Sequence, residues 1–203
     1  MRRHRKATVT CSFAEELIYD IAVKELSLNI LDIVQNSIAA EADLVEITVT
    51  ESEEALILSV KDNGYGMSEE ILAAVQSPFF TTRTTRRVGM GIPLLKLEAE
   101  QTGGGIDIVS RQRNVCPDCC GTEIVARFNI NHIDFTPLGD MIATIVTLMQ
   151  GAPEVDYVFT HIKHDRSIVL DTRDMRLILG EDANLSDPMV LQWVKGMLME
   201  QYA

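Results

Sequence analysis

One stretch limits the possible folds of this chain more than any other. In Glu25-Leu-Ser-Leu-Asn-Ile-Leu-Asp-Ile-Val-Gln-Asn-Ser-Ile-Ala-Ala40, Leu31, Val34 and Ile38 recur at helical spacing, and Leu26, Ile30 and Ile33 form a second apolar line beside them. A helix that is apolar along two lines is expected inside a domain, not on its surface. Yet Asn29, Asp32 and Asn36 share one side of it, at i, i+3 and i+7. Polar groups carried into a core are costly without partners. This side therefore faces a ligand or a metal or, in the plainer reading, a wet edge.

The segments that follow read as alternating strands and helices. Leu44–Thr50 and Ala55–Lys61 carry strand alternation around the polar turn Glu51–Glu54. The second of them runs directly into Asp62-Asn-Gly-Tyr-Gly-Met67. Ser68 has the character of an N-cap, with Glu69 and Glu70 in the first turn behind it. Ser77 to Gly91 is polar, cationic and glycine-ended, and is expected to be a loop. Ile92–Thr102 reads as a helix stopped by three glycines, and Ile106–Ser110 and Thr122–Phe128 read as strands. After Asn131 the pattern predicts a helix over Asp140–Gln150, strands at Tyr157–Lys163 and Ser167–Asp171, and helices near Thr172–Leu179 and Asp187–Tyr202.

Two glycine elements carry chemical content. Asp62-x-Gly-x-Gly66 follows a strand; its glycines let backbone approach a flat ligand, and its carboxylate can accept from a ring amine. A simple turn explains the same letters when they are taken alone. Val88-Gly-Met-Gly-Ile92 opens a helix, where N–H groups and the helix dipole favour an anion, and Arg83, Arg86 and Arg87 lie just before it. A solvated arginine loop is the plainer account of that element. No Gly-x-x-x-x-Gly-Lys-Ser/Thr occurs, which excludes a P-loop.

The order of these pieces resembles the nucleotide-binding domain of the GHKL superfamily, named for gyrase, Hsp90, histidine kinases and MutL. Asp32-Ile-Val-Gln-Asn-Ser-Ile-Ala-Ala-Glu-Ala42 is similar to its N box and Asp62–Met67 to its first glycine box. Pro78-Phe-Phe-Thr-Thr-Arg83 is similar to the end of the lid in many histidine kinases. Gly89-Met-Gly91 is similar to the second glycine box, and Gly121-Thr122 to the third. The resemblance spans about residues 24–130. It implies an α/β two-layer sandwich of the Bergerat type, with helices on one face of a mixed sheet. It divides the chain into a basic lead-in (1–22), an ATP-binding domain (23–130) and a small C-terminal α+β subdomain (131–203).

The same resemblance implies roles for single residues. Asn36 would ligate Mg²⁺, an ion that keeps most of its sites for water and phosphates. Asp62 would read the adenine amine, with Thr122 helping through water, while Gly64, Gly66 and Met67 would let the base approach. Thr81, Thr82 and Arg83 of the lid and Gly89, Met90 and Gly91 would face the phosphates. Asp32 stands where ATPases and serine kinases of the superfamily carry a general-base carboxylate.

Three departures qualify this. Asp32 is one methylene shorter than the usual Glu, and Arg87 replaces a glycine that often begins the second box. No phosphoacceptor helix precedes the N box, and His132, His161 and His164 lie far downstream, so histidine self-phosphorylation is not expected. The expected function is that of an ATP- and Mg²⁺-binding regulatory protein. A phosphotransferase acting on a protein client leads, as in anti-sigma-type serine kinases; an ATPase switch and a non-catalytic nucleotide sensor are the alternatives.

Composition narrows the setting. A net charge of −12 argues against nonspecific binding to nucleic acid or to an anionic membrane surface. No apolar run approaches the roughly 20 residues of a membrane span, and no secretion segment is recognisable, so a cytoplasmic chain is expected. ATP and a protein client are the expected partners, with a homodimer left open. Cys11, Cys116, Cys119 and Cys120 do not form the spread framework of a disulfide-stapled protein. For Cys116-Pro-Asp-Cys-Cys120 a reduced surface loop is the plain expectation, and a metal site or a redox-active disulfide the sharper one.

Overall fold

The computed structural model describes residues 25–75, 91–180 and 183–203. The two apolar lines of the opening stretch form α1 (Leu26–Ala39), with Leu26, Ile30, Ile33 and Val34 buried and Leu31 and Ile38 packed at the edge of the core. No side chain caps its start. Instead the Leu26 and Ser27 amides donate to the carbonyls of Pro137 and Leu138, so a distant segment satisfies donors that the helix leaves open.

The elements that follow are β1 (Leu44–Glu51), β2 (Ala55–Asp62), α2 (Glu69–Val75), α3 (Gly91–Gln101), β3 (Gly105–Arg111) and β4 (Gly121–Asn129). After these come α4 (Met141–Gly151), β5 (Asp156–Lys163), β6 (Arg166–Asp171), α5 (Thr172–Leu179) and α6 (Pro188–Tyr202). Among the described residues the strands make one six-stranded sheet, ordered β3-β4-β2-β1-β5-β6. Every pairing is antiparallel except that of β1 with β5, which makes the sheet mixed. A parallel neighbour requires a crossover, and α4 supplies it.

Register explains why one face is the core. Following the paired residues across the sheet gives the row Ile108, Ile124, Val60, Ile47, Phe159 and Leu170. Period-2 alternation puts the whole row on one side. On that side α1 packs between α3 and α4, and α6 packs against α4 and β6. The opposite face carries Glu46, Lys61, Asp107 and Arg127, with ion pairs Lys61–Glu46 and Arg127–Asp107 across strands. Helices thus cover one face, as the sequence implies.

The segment after residue 131 does not sit apart. β5 and β6 extend the same sheet, and Tyr157, Phe159, Leu170 and Val194 belong to the same hydrophobic cluster as Ile30 and Val60. Among the described residues no helix is long and apolar enough to cross a membrane.

Candidate functional site

The apolar inner face changes character two residues beyond Val60. There β2 ends at Asp62, whose side chain points the way Val60 does and is only 9% exposed. Ser37, on the next turn of α1 after Ile33, donates its hydroxyl to Asp62 Oδ2 at 2.8 Å. The Gly64 and Thr122 amides donate to Oδ1 at 2.9 and 3.2 Å. A carboxylate offers about four acceptor positions, so three donors fix its plane and leave capacity for one more.

Glycine makes the surrounding turn this tight. Gly66 has φ +68° and Gly121 φ +123°, a region that L side chains rarely adopt. A Cβ at Gly66 would collide with the Arg111 carbonyl, and one at Gly121 with the Asp62 carbonyl. Met67 N donates to Ser110 Oγ at 2.7 Å, and that hydroxyl lies 2.8 Å from Thr122 Oγ1. The ends of β2, β3 and β4 therefore close on one carboxylate.

The polar side of α1 resolves into three environments. Asn36 is exposed, one residue from the Ser37 that anchors Asp62. Asp32 is half-buried against the start of α3, where a Cβ on Gly91 would lie 3.0 Å from the Asp32 Cβ. Asn29 does not face a wet edge. It is buried and donates from Nδ2 to Glu98 Oε2 of α3 at 2.5 Å. Helical spacing alone grouped it with Asp32 and Asn36, but its partner comes from α3. Burial pushes the Glu98 carboxyl up to about 7, against the opposing pull of the Asn29 hydrogen bond.

Asp32, Asn36, Asp62, Gly64, Gly66, Met67, Gly91 and Thr122 thus line the α1–β2–β4 end of the inner face and the adjoining start of α3. Thr81, Thr82, Arg83, Gly89 and Met90 lie outside the described residues. Ser37 and Ser110 were not singled out from sequence. The trace of Ser37 there is a hydroxyl where the apolar line Leu26, Ile30, Ile33 calls for another apolar side chain. Ser110 leaves no such trace.

Beside the site, the cysteine loop departs from the plain expectation of a reduced loop: Cys116 and Cys119 are disulfide-bonded across a short 3-10 turn at Pro117–Cys119, and Cys120 is a free thiol. With two of the three sulfurs joined, the loop is not a set of thiolates arranged for a metal.

The family model for histidine kinase-, DNA gyrase B-, and HSP90-like ATPases matches residues 19–132, more than half of the chain. Sensor histidine kinase ZraS of Escherichia coli (strain K12) is 31% identical over 85 residues, 41% of this chain and 18% of that protein. A putative NtrY-like sensor histidine kinase of Rickettsia bellii is 24% identical over 112 residues, 55% of this chain and 17% of that one. The chain therefore spans less than a fifth of the length of these relatives. The N-terminal domain of a DNA repair protein superposes with a TM-score of 0.50 at 11% identity, over 76% of this chain and 54% of that one. The catalytic domain of histidine kinase ThkA gives a TM-score of 0.37 at 27% identity, over 48% of this chain and 61% of that one.

Proposed function

Because the chain belongs to the histidine kinase-, DNA gyrase B-, and HSP90-like ATPase family, we propose that it binds ATP with Mg²⁺ and passes the terminal phosphoryl group to a protein client. The observation that carries this reading is the Asp62 carboxylate, oriented by Ser37, Gly64 and Thr122 with capacity for one further donor. An exocyclic ring amine is such a donor, and the turn at Gly64 and Gly66 keeps side chains away from a flat base. The residues fit the nucleotide.

Asn36 offers a neutral oxygen at the exposed edge of α1, in keeping with the way Mg²⁺ takes few protein ligands. The first turn of α3, opening at Gly91 beside Asp32, carries backbone N–H groups and the positive end of a helix dipole, which suits phosphates. When bound, ATP supplies the transferable phosphoryl group, and catalysis of such transfers is mostly positioning and charge neutralisation. Asp32, held against the start of α3, is the residue we assign to accept the proton from the attacking hydroxyl. The lid residues Thr81, Thr82 and Arg83, with Gly89 and Met90, would complete the phosphate side. A protein client, a cytoplasmic setting and the regulatory role belong to this same proposal.

The contact between Gly91 and Asp32 also supports a second reading. A carboxylate there can take a proton from water as readily as from a hydroxyl, which makes the chain an ATPase switch whose α1–α3 contact reports the nucleotide. Incubation with γ-³²P-ATP and the products of neighbouring genes separates the two. Label on a protein client supports the kinase, and phosphate released at the same rate without any client supports the switch.

A further inference from the structure

Neither reading uses the disulfide. Cys116 and Cys119, with Cα atoms 5.4 Å apart, close a short loop flanked by Arg113 and Cys120, two residues that touch the Asp62–Met67 turn. The Cys116 amide donates to Gln112 O at 3.0 Å, so the pair is tied into the end of β3. Next along the chain, Cys120 Sγ reaches Asn63 O at 3.6 Å and Pro117 O at 3.4 Å. From the other arm of the loop, Arg113 donates through Nη2 to Asn63 O at 3.3 Å, and its guanidinium stacks over the Tyr65 ring at 4.2 Å. The Arg113 amide donates to Tyr65 O at 2.9 Å. Both arms thus hold the turn that carries Asp62, and the loop they enclose is pinned by one disulfide.

We propose that Cys116–Cys119 is a thiol–disulfide exchange site, taking an external dithiol as its reactant, and that its state sets how firmly the Asp62–Met67 turn is held. Cys119 is exposed and Cys116 half-buried, so the sulfur open to attack is that of Cys119. An incoming thiolate bonds to Cys119 Sγ, the Cys116–Cys119 bond breaks, and Cys116 leaves as a thiolate. The second thiol of the same reductant then attacks its own sulfur in the mixed disulfide and releases Cys119. The sum is one protein disulfide plus one dithiol giving two protein thiols plus one external disulfide, with the two thiol protons passing to Cys116 and Cys119. Oxidation reverses each step. The exposure of Cys119 gives the reductant access, and access together with thiolate character governs such exchange.

Reduction frees the segment from Gln112 to Cys120 and loosens the grip of Arg113 and Cys120 on Asn63 and Tyr65. Coupling to nucleotide affinity rests on the ATP reading above; loosening of the turn does not.

The test uses the full chain equilibrated in mixtures of reduced and oxidised dithiothreitol. Thiols are trapped with a maleimide mass tag, and amide exchange is followed at Gly64, Tyr65 and Thr122. We expect one reversible two-electron transition, absent from the Cys116→Ser/Cys119→Ser variant and retained in Cys120→Ser. Exchange at those amides should quicken about three- to tenfold on reduction, within the limit set by the chain entropy that so short a disulfide loop removes. The double variant should match the reduced wild type in either buffer. A pair that stays reduced in fully oxidised dithiothreitol overturns the proposal, as do amides that exchange equally fast in both states. Calorimetry with ATP on the same samples should give weaker binding in the reduced form by a similar factor. No heat in either form contradicts the ATP reading, while the amide data alone still decide whether the disulfide governs the turn.

Discussion

The inner face of the sheet ends in a carboxylate at both ends, and the two are built differently. At one end Asp62 follows Val60 on β2, held by a serine hydroxyl and two backbone amides. At the other Glu51 follows Val49 on β1, and its oxygens meet His161 Nε2 at 2.9 Å and Lys163 Nζ at 2.9 Å. His161 in turn shares a 2.7 Å hydrogen bond with Tyr202 OH, which ties the end of α6 to the sheet. Glu51 is matched by side chains, of which Lys163 balances its charge, and no glycine breaks the strand around it. Asp62 is matched by neutral donors, in a turn where glycines replace side chains. A carboxylate becomes a candidate binding group when its partners are neutral backbone and hydroxyl donors and its surroundings leave space. It becomes a staple when side chains that include a cation, as Lys163 here, close over it.

The sharpest way to break this contrast is Asp32→Asn, which removes a proton acceptor and nothing from the Asp62 cradle. ATP turnover or transfer should fall roughly 10²–10⁴-fold with the dissociation constant for ATP within about twofold, read by single-turnover kinetics and calorimetry. Turnover at the wild-type rate would remove Asp32 from the mechanism. Next in size is Gly121→Ala. Its Cβ would strike the Asp62 carbonyl at φ +123°, so a stability loss of about 2–3 kcal/mol in urea, with weakened ATP binding, is expected.

Titration adds a separate check, since two buried groups, Glu98 on α3 and His161 beside Glu51, respond to pH in opposite senses. Glu98 titrates near 7 when folded and at 4.5 when unfolded, so its contribution is complete below pH 4.5 and is lost as pH rises through 7. Glu98→Gln should therefore gain on the wild type between pH 4.5 and 8, by up to ~3 kcal/mol, in denaturant melts at each pH. Burial holds His161 below its usual 6.5, against the pull of Glu51, so its contribution is present above pH 6.5 and lost as pH falls. The smallest effect is that of Tyr202→Phe. It should cost about 1 kcal/mol through the orphaned His161 Nδ1 and leave ATP affinity unchanged. A change in nucleotide binding there would erase the distinction between the two ends.

These contrasts also show what was legible in the chain. The extents of β1 and β2 follow from periodicity, and the starts of the later helices from caps within one segment, such as Asp140 accepting from the Ala143 amide at the start of α4. The apolar lines mark α1, but its first amides are satisfied from Pro137 and Leu138. The glycine elements stand out because a missing side chain is visible in the letters. The parallel pairing of β5 with β1 is a contact between residues more than a hundred positions apart, and no local pattern encodes it. For the same reason the C-terminal segment, expected as a small α+β subdomain, has its strands in the common sheet. The partners of Asn29, Ser37 and Ser110 come from other elements, so sequence could mark them as polar but not say what they touch. The cysteine spacing was legible, while the pairing of Cys116 with Cys119 depended on the turn between them.

The account turns on whether Asp62 reads a nucleotide. Calorimetric titration of the folded wild type with ATP and Mg²⁺, beside Asp62→Asn and Glu51→Gln, tests this directly. The account predicts saturable heat for the wild type, the same affinity within about twofold for Glu51→Gln, and at least a tenfold loss for Asp62→Asn, the value of one charge-assisted hydrogen bond. A wild type that gives no heat, or an Asp62→Asn variant that binds as well as its parent, would contradict it.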